Sequence, residues 1–144
     1  MPETRTAMTA ASAEVEGIVA DAKRRLDEHL RRINRLVRAN PPANPLPLAV
    51  FTAIGAARRD ALTALGRILR LQSDEPAKQL ALVWLSYVAA GLSSTHAALR
   101  EERIGAATGG QTRRLARARF ARVGEAFLEL DRALGCPHGC KEGS

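Results

Sequence analysis

The chain has 144 residues, 46% hydrophobic but only 3% aromatic, with 22 basic against 15 acidic side chains and two cysteines. That length supports one domain able to bury roughly 70% of its unfolded surface, and it excludes a multi-domain enzyme. The net charge of +7 and pI near 10.6 direct attention to anionic partners. All but three of the 22 basic residues are arginine and alanine is the commonest residue, a bias that GC-rich codons impose; it accounts for Arg over Lys but not for base over acid.

The start, from Met1 to Met8, has no apolar run of the kind that targets secretion, so a cytoplasmic protein is expected. Helical periodicity begins near Thr9 and runs to Ala39. Val15, Ile18, Val19, Ala22, Leu26, Leu30, Ile33, Leu36 and Val37 fall on one stripe at spacings of three and four, and arginines crowd the opposite face. Four prolines within residues 40–47 end this helix.

The second helix is predicted over Pro47–Leu71, with Phe51, Ile54, Ala57, Ala61, Leu65 and Ile68 inward and Leu62 and Leu69 widening the face. Ser73-Asp74-Glu75-Pro76 then offers a cap, early acids and an early proline, opening a third helix that runs to about Ile104. This helix is apolar around most of its perimeter. Its uninterrupted apolar part, Leu80 to Leu92, is shorter than the roughly 20 residues of a membrane span. It therefore reads as the central helix of the bundle, or as one lending a spare face to another copy, with Ala90, Gly91 and Ser94 small enough for close approach. Homo-oligomerisation through this helix is expected.

After the break at residues 105–110, a fourth helix runs from about Gln111 to Leu134 with Leu115, Phe120, Val123, Phe127, Leu130 and Leu134 as its seam, and Gly135 stops it. The fold expected is all-α: an antiparallel four-helix bundle over residues 9–135, with short disordered termini, a flexible tail at 1–8 and a Cys/His-containing tail at 136–144.

Helix ends favour acids at the N-terminus and bases at the C-terminus. The first three helices obey. The fourth opens with Arg113, Arg114, Arg117, Arg119 and Arg122 and keeps Glu125, Glu129 and Asp131 for its end, so something negative should neutralise its start. One source is the chain itself, through Glu101 and Glu102. Another is a phosphate backbone: the segment Ile104–Ala118 resembles a helix-turn-helix, which implies Gln111, Thr112, Arg113 and Arg117 facing a groove and Arg114 on phosphate. Gly110, where such motifs bury an apolar side chain, and the length of the helix depart from that pattern.

Cys136, His138 and Cys140 place three zinc- or copper-compatible ligands within five residues, and a closed zinc site would draw a fourth from His29, His96, an acid or another subunit. The alternatives are an exposed reduced tail and a disulfide. His29 and His96 lie beside apolar stripes and read as hydrogen-bonded core residues. No phosphate loop, nucleophile elbow or buried acid–base pair is present in the sequence. The expected function is non-enzymatic: a protein-interaction or structural module with a basic binding surface, or alternatively a nucleic-acid-binding accessory or regulatory protein.

Overall fold

The computed structural model describes residues 10–39, 48–105 and 109–139. The expected N-terminal tail, the proline linker and Cys140 lie outside the described residues. Four helices account for nearly all of the rest, and no strand occurs among the described residues: α1 (Ala10–Ala39), α2 (Leu48–Leu69), α3 (Pro76–Arg103) and α4 (Gly109–Ala133). The all-α four-helix fold follows from the periodicity, and each boundary falls within two residues of the expected one.

Side-chain pairs give the helix directions. Between α1 and α2, Asp21 reaches Arg67 and His29 reaches Asp60, so one index falls as the other rises. Arg58 donates to Ser93, and the Phe51 ring stands edge-on to His96 at 5.2 Å, which sets α3 antiparallel to α2. From the turn inward, Arg113 meets Glu102, Phe120 covers Gly91, and Phe127 packs on Trp84 at 5.0 Å. The chain runs up-down-up-down.

α3 is the central element. Ala81, Trp84, Leu85, Val88, Leu92 and Leu99 are buried against Val15, Val19, Ile54, Ala61, Ile68 and Leu130 from its neighbours. Its length and apolar composition would suit a membrane span, yet its perimeter is taken up by α1, α2 and α4. Gly91 receives the Phe120 ring, and buried Ser94 accepts a hydrogen bond from Arg119 at 2.6 Å. These small residues therefore serve α4 within the chain. A second copy docking on α3 would have to use the narrow exposed stripe of Gln79, Val83 and Ser86.

Three local expectations are corrected. Ser73 does not cap α3: the N-cap is Glu75, without a side-chain cap bond, and Ser73 Oγ instead accepts the Glu75 N–H two residues on. Leu115 is 46% exposed, and the seam of α4 passes through buried Ala116 instead, because Ala116 lies four residues before Phe120, in helical register with the rest of the seam, whereas Leu115 lies five. The stripe of α1 is buried only in its first half. Val15 to Leu26 are covered, whereas Leu30 and Val37 are 46% and 40% exposed.

The helix-turn-helix resemblance does not extend to three dimensions. Helices in that motif cross at roughly 90–120°, whereas α3 and α4 stay in contact from Glu102–Arg113 to Trp84–Phe127. They form an antiparallel hairpin, turned by Gly105 at φ +74°.

Candidate functional site

The inverted charge gradient of α4 is met by partners at both ends only in part. At its start, Arg113 makes a two-pronged ion pair with Glu102, its Nε and Nη2 donating at 2.8 and 2.6 Å, and Thr112 donates to Glu101 at 2.7 Å. At its end, buried Asp131 accepts the His138 backbone N–H at 2.9 Å. Gln111, Arg114 and Arg117 remain exposed, as does Arg122. The expected arginine sleeve is thus divided: Arg113 and Arg119 are engaged with α3, and Arg114, Arg117 and Arg122 face solvent.

The Cys/His segment is in part a folded cap. Gly135 and Cys136 both have positive φ, and the Cys136 N–H reaches back to the Asp131 carbonyl at 2.8 Å in the reversal that commonly ends helices at glycine. The His138 ring packs on Phe127 at 5.2 Å, and its Nε2 lies 3.4 Å from Glu16 Oε1 of α1. Cys136 is disulfide-bonded, so in this form it offers no thiolate to a metal. Among the described residues no group of three His, Cys, Asp or Glu side chains is gathered. His29 and Asp60 share a hydrogen bond at 2.7 Å that joins α1 to α2.

The feature that the sequence did not single out lies between the first and last helices. α2 packs along α1 and α3, and α4 packs along α3, but the α1–α4 edge has no comparable packing. At one end side chains bridge the gap, where His138, just beyond α4, approaches Glu16 and Lys23 lies over the Phe127 ring at 5.4 Å. Beyond that end the bundle is open. The result is a cavity of about 410 Å³ walled by Leu26 and Leu30 of α1 and by Phe120, Val123 and Phe127 of α4, with Trp84, Val88 and Leu92 as its floor. A second cavity of about 310 Å³ lies on the other side of Phe120, towards the α3–α4 turn, lined by Val37, Val50, Leu99 and Ala116 together with Arg113 and Arg117.

The groove is apolar along its length and charged near its ends. Lys23 and Asp27, 2.8 Å apart, neutralise each other at the first cavity. Arg113 is taken by Glu102 at the second, and Arg117 has no partner among the described residues. Such volumes, between helices of a bundle and with few polar groups, are those of ligand sites. Periodicity had marked Leu30, Trp84, Phe120 and Phe127 as inward-facing; no feature of the sequence says that two inward stripes fail to meet.

A third group of side chains, on the α1–α2 face, collects Arg25, Arg31, Arg32 and Arg35 around the His29–Asp60 pair. On the same face Asp21 faces Arg67 and accepts from Arg24 and Arg25; the Arg24 hydrogen bond foremost, with Arg25, holds its carboxyl below its ordinary range against the opposing effect of burial. Compared with protein-family models, curated proteins and solved structures, the chain matches none.

Proposed function

We propose that this chain is a non-enzymatic binding module whose binding surface is the open groove between α1 and α4, with the arginine side chains at its mouth as a basic rim. One observation carries the reading: a bundle packed along three of its edges leaves the fourth apart and lines the gap with Leu30, Trp84, Phe120 and Phe127. Leu30 is 46% exposed, and such apolar surface costs roughly 25 cal/mol per Å² that an occupant would cover. An apolar occupant removes that cost.

Gly124 supplies the test. It lines the first cavity, and a Cβ built on it meets nothing within 4 Å. Gly124→Leu should fill the groove without straining the fold, and replacing a mid-helix glycine stabilises the helix by up to about 1 kcal/mol. Nile red should bind the native chain and quench or shift the emission of Trp84, the single tryptophan, and Gly124→Leu should abolish both effects. Dye binding that is indifferent to the substitution would exclude the groove.

A second reading, contact with a nucleic-acid backbone, is supported by Gln111, Arg114 and Arg117 staying exposed at one end of α4. It requires salt-dependent binding to duplex DNA that Arg114→Glu and Arg117→Glu remove together. No binding at low salt would dismiss it.

A further inference from the structure

We infer that the occupant of the groove is a single-chain acyl carboxylate, with its head at Arg117 and its tail running past Phe120 onto Trp84. The inference rests on the groove being the binding surface and adds the class and direction of the ligand. Three features support it.

The first is shape. The two cavities of about 410 and 310 Å³ lie on either side of Phe120 along α4, so a single occupant reaching both must be long and thin and must pass that ring. From Arg117 to Phe127 the α4 wall rises about 15 Å at the usual 1.5 Å per residue, which is the length of an extended dodecanoyl chain.

The second is the asymmetry of charge. No carboxylate lines the second cavity, and its two cations differ: Arg113 already has a bidentate carboxylate partner, whereas Arg117 is exposed and has none among the described residues. A guanidinium is the side chain suited to receive a carboxylate in two parallel hydrogen bonds. At the other end Lys23 is held by Asp27 and lies over Phe127, so no net charge is left there to attract the head.

The third is register. Arg117 precedes Phe120 by three residues, so both side chains project along the same face of α4. A head on Arg117 therefore directs its tail along Phe120, the residue that lines both cavities. No bond is made or broken; the proposal is binding alone.

Displacement of Nile red from the full-length chain by dodecanoate, kept below its micellar concentration, tests the proposal. Dodecanoate should bind at one per chain, and decanoate, two methylenes shorter, should bind about fifteenfold more weakly, about fourfold for each methylene. Arg117→Gln should weaken dodecanoate about tenfold and leave dodecan-1-ol unchanged, while Arg122→Gln, an exposed cation that does not line either cavity, should alter neither. Gly124→Leu should block the acid and the alcohol alike.

If the acid and the alcohol respond equally to Arg117→Gln, the head-group assignment is wrong although the groove still binds apolar matter. Failure of dodecanoate to displace a dye that Gly124→Leu excludes has the same meaning. Binding seen only on vesicles of anionic phospholipid, with none to monomeric dodecanoate, would overturn the proposal in favour of a lipid surface. Dye binding unaffected by Gly124→Leu would instead remove the groove reading itself.

Discussion

Phe120 closes over Gly91: a Cβ placed on Gly91 would lie 3.0 Å from Cδ1, Cε1 and Cζ of the ring. The glycine is thus required by packing between α3 and α4, in a helix interior where glycine otherwise costs about 1 kcal/mol against alanine. In Gly91→Ala the helical gain and the squeeze on Phe120 oppose each other, and urea denaturation should find a change within about 1 kcal/mol. Gly91→Val adds two more carbons to the same contact and should lose about 1–3 kcal/mol. Native-like stability in the valine variant would show that Phe120 moves aside freely, and with it the boundary between the two cavities.

The Glu102–Arg113 pair is half open to water, with side chains 23% and 50% exposed. Exposed pairs contribute little, so Glu102→Gln should cost less than about 1 kcal/mol in a denaturant titration. Its larger effect should be on charge at the mouth of the groove, because Arg113 is released to join Arg117. Carboxylate affinity should then rise relative to the native chain, and an unchanged affinity would mean that Arg113 does not face the site.

Asp131 is only 2% exposed and accepts the His138 N–H in the segment that folds back after α4. Asp131→Ala leaves that donor unpaired beneath the turn, and about 1–3 kcal/mol of stability should be lost. Cleavage between Gly135 and Gly139 under limited proteolysis should accelerate in parallel. If the fold weakens without faster cleavage, the carboxylate supports the bundle and not the turn.

Asp21 gives the pH dependence. Its folded pKa is depressed, with the Arg24 hydrogen bond as the first cause, so its contribution is present above the ordinary carboxylate value of 3.8 and is lost as pH falls through the lower folded value. Melting temperatures of the native chain and of Asp21→Asn should differ slightly at neutral pH and converge in acid. A gap that persists in strong acid would assign the difference to something other than the carboxylate charge.

The two kinds of structural information in this chain were unequally legible. Helix boundaries were written in Pro76, Gly135 and the proline-rich break, because those residues act on their own backbone. The charge anomaly of α4 was visible too; of the suggested neutralisation by Glu101 and Glu102, the hairpin pairs Arg113 with Glu102 and brings Thr112 to Glu101, and leaves Arg114, Arg117 and Arg122 exposed. The partners of Gly91 and Ser94 were not legible, since smallness marks close approach without saying which helix approaches. Nor was the groove. Leu30 and Val37 carry the same periodicity as Val15 and Val19, and only the splay between α1 and α4 decides that one pair is exposed and the other covered.

That splay also divides the site between the two ends of the chain. Its floor and one wall belong to the α3–α4 hairpin, held by Glu102–Arg113, Gly91–Phe120 and Trp84–Phe127. Its other wall is α1, the helix farthest along the chain from α4, which reaches the groove through its packing on α2 and the His29–Asp60 pair. The binding surface is thus completed by the contact of greatest sequence separation. A chain with its hairpin formed but α1 undocked would keep most of its helix while presenting Trp84 on an open face, a species that tryptophan emission would distinguish where circular dichroism would not.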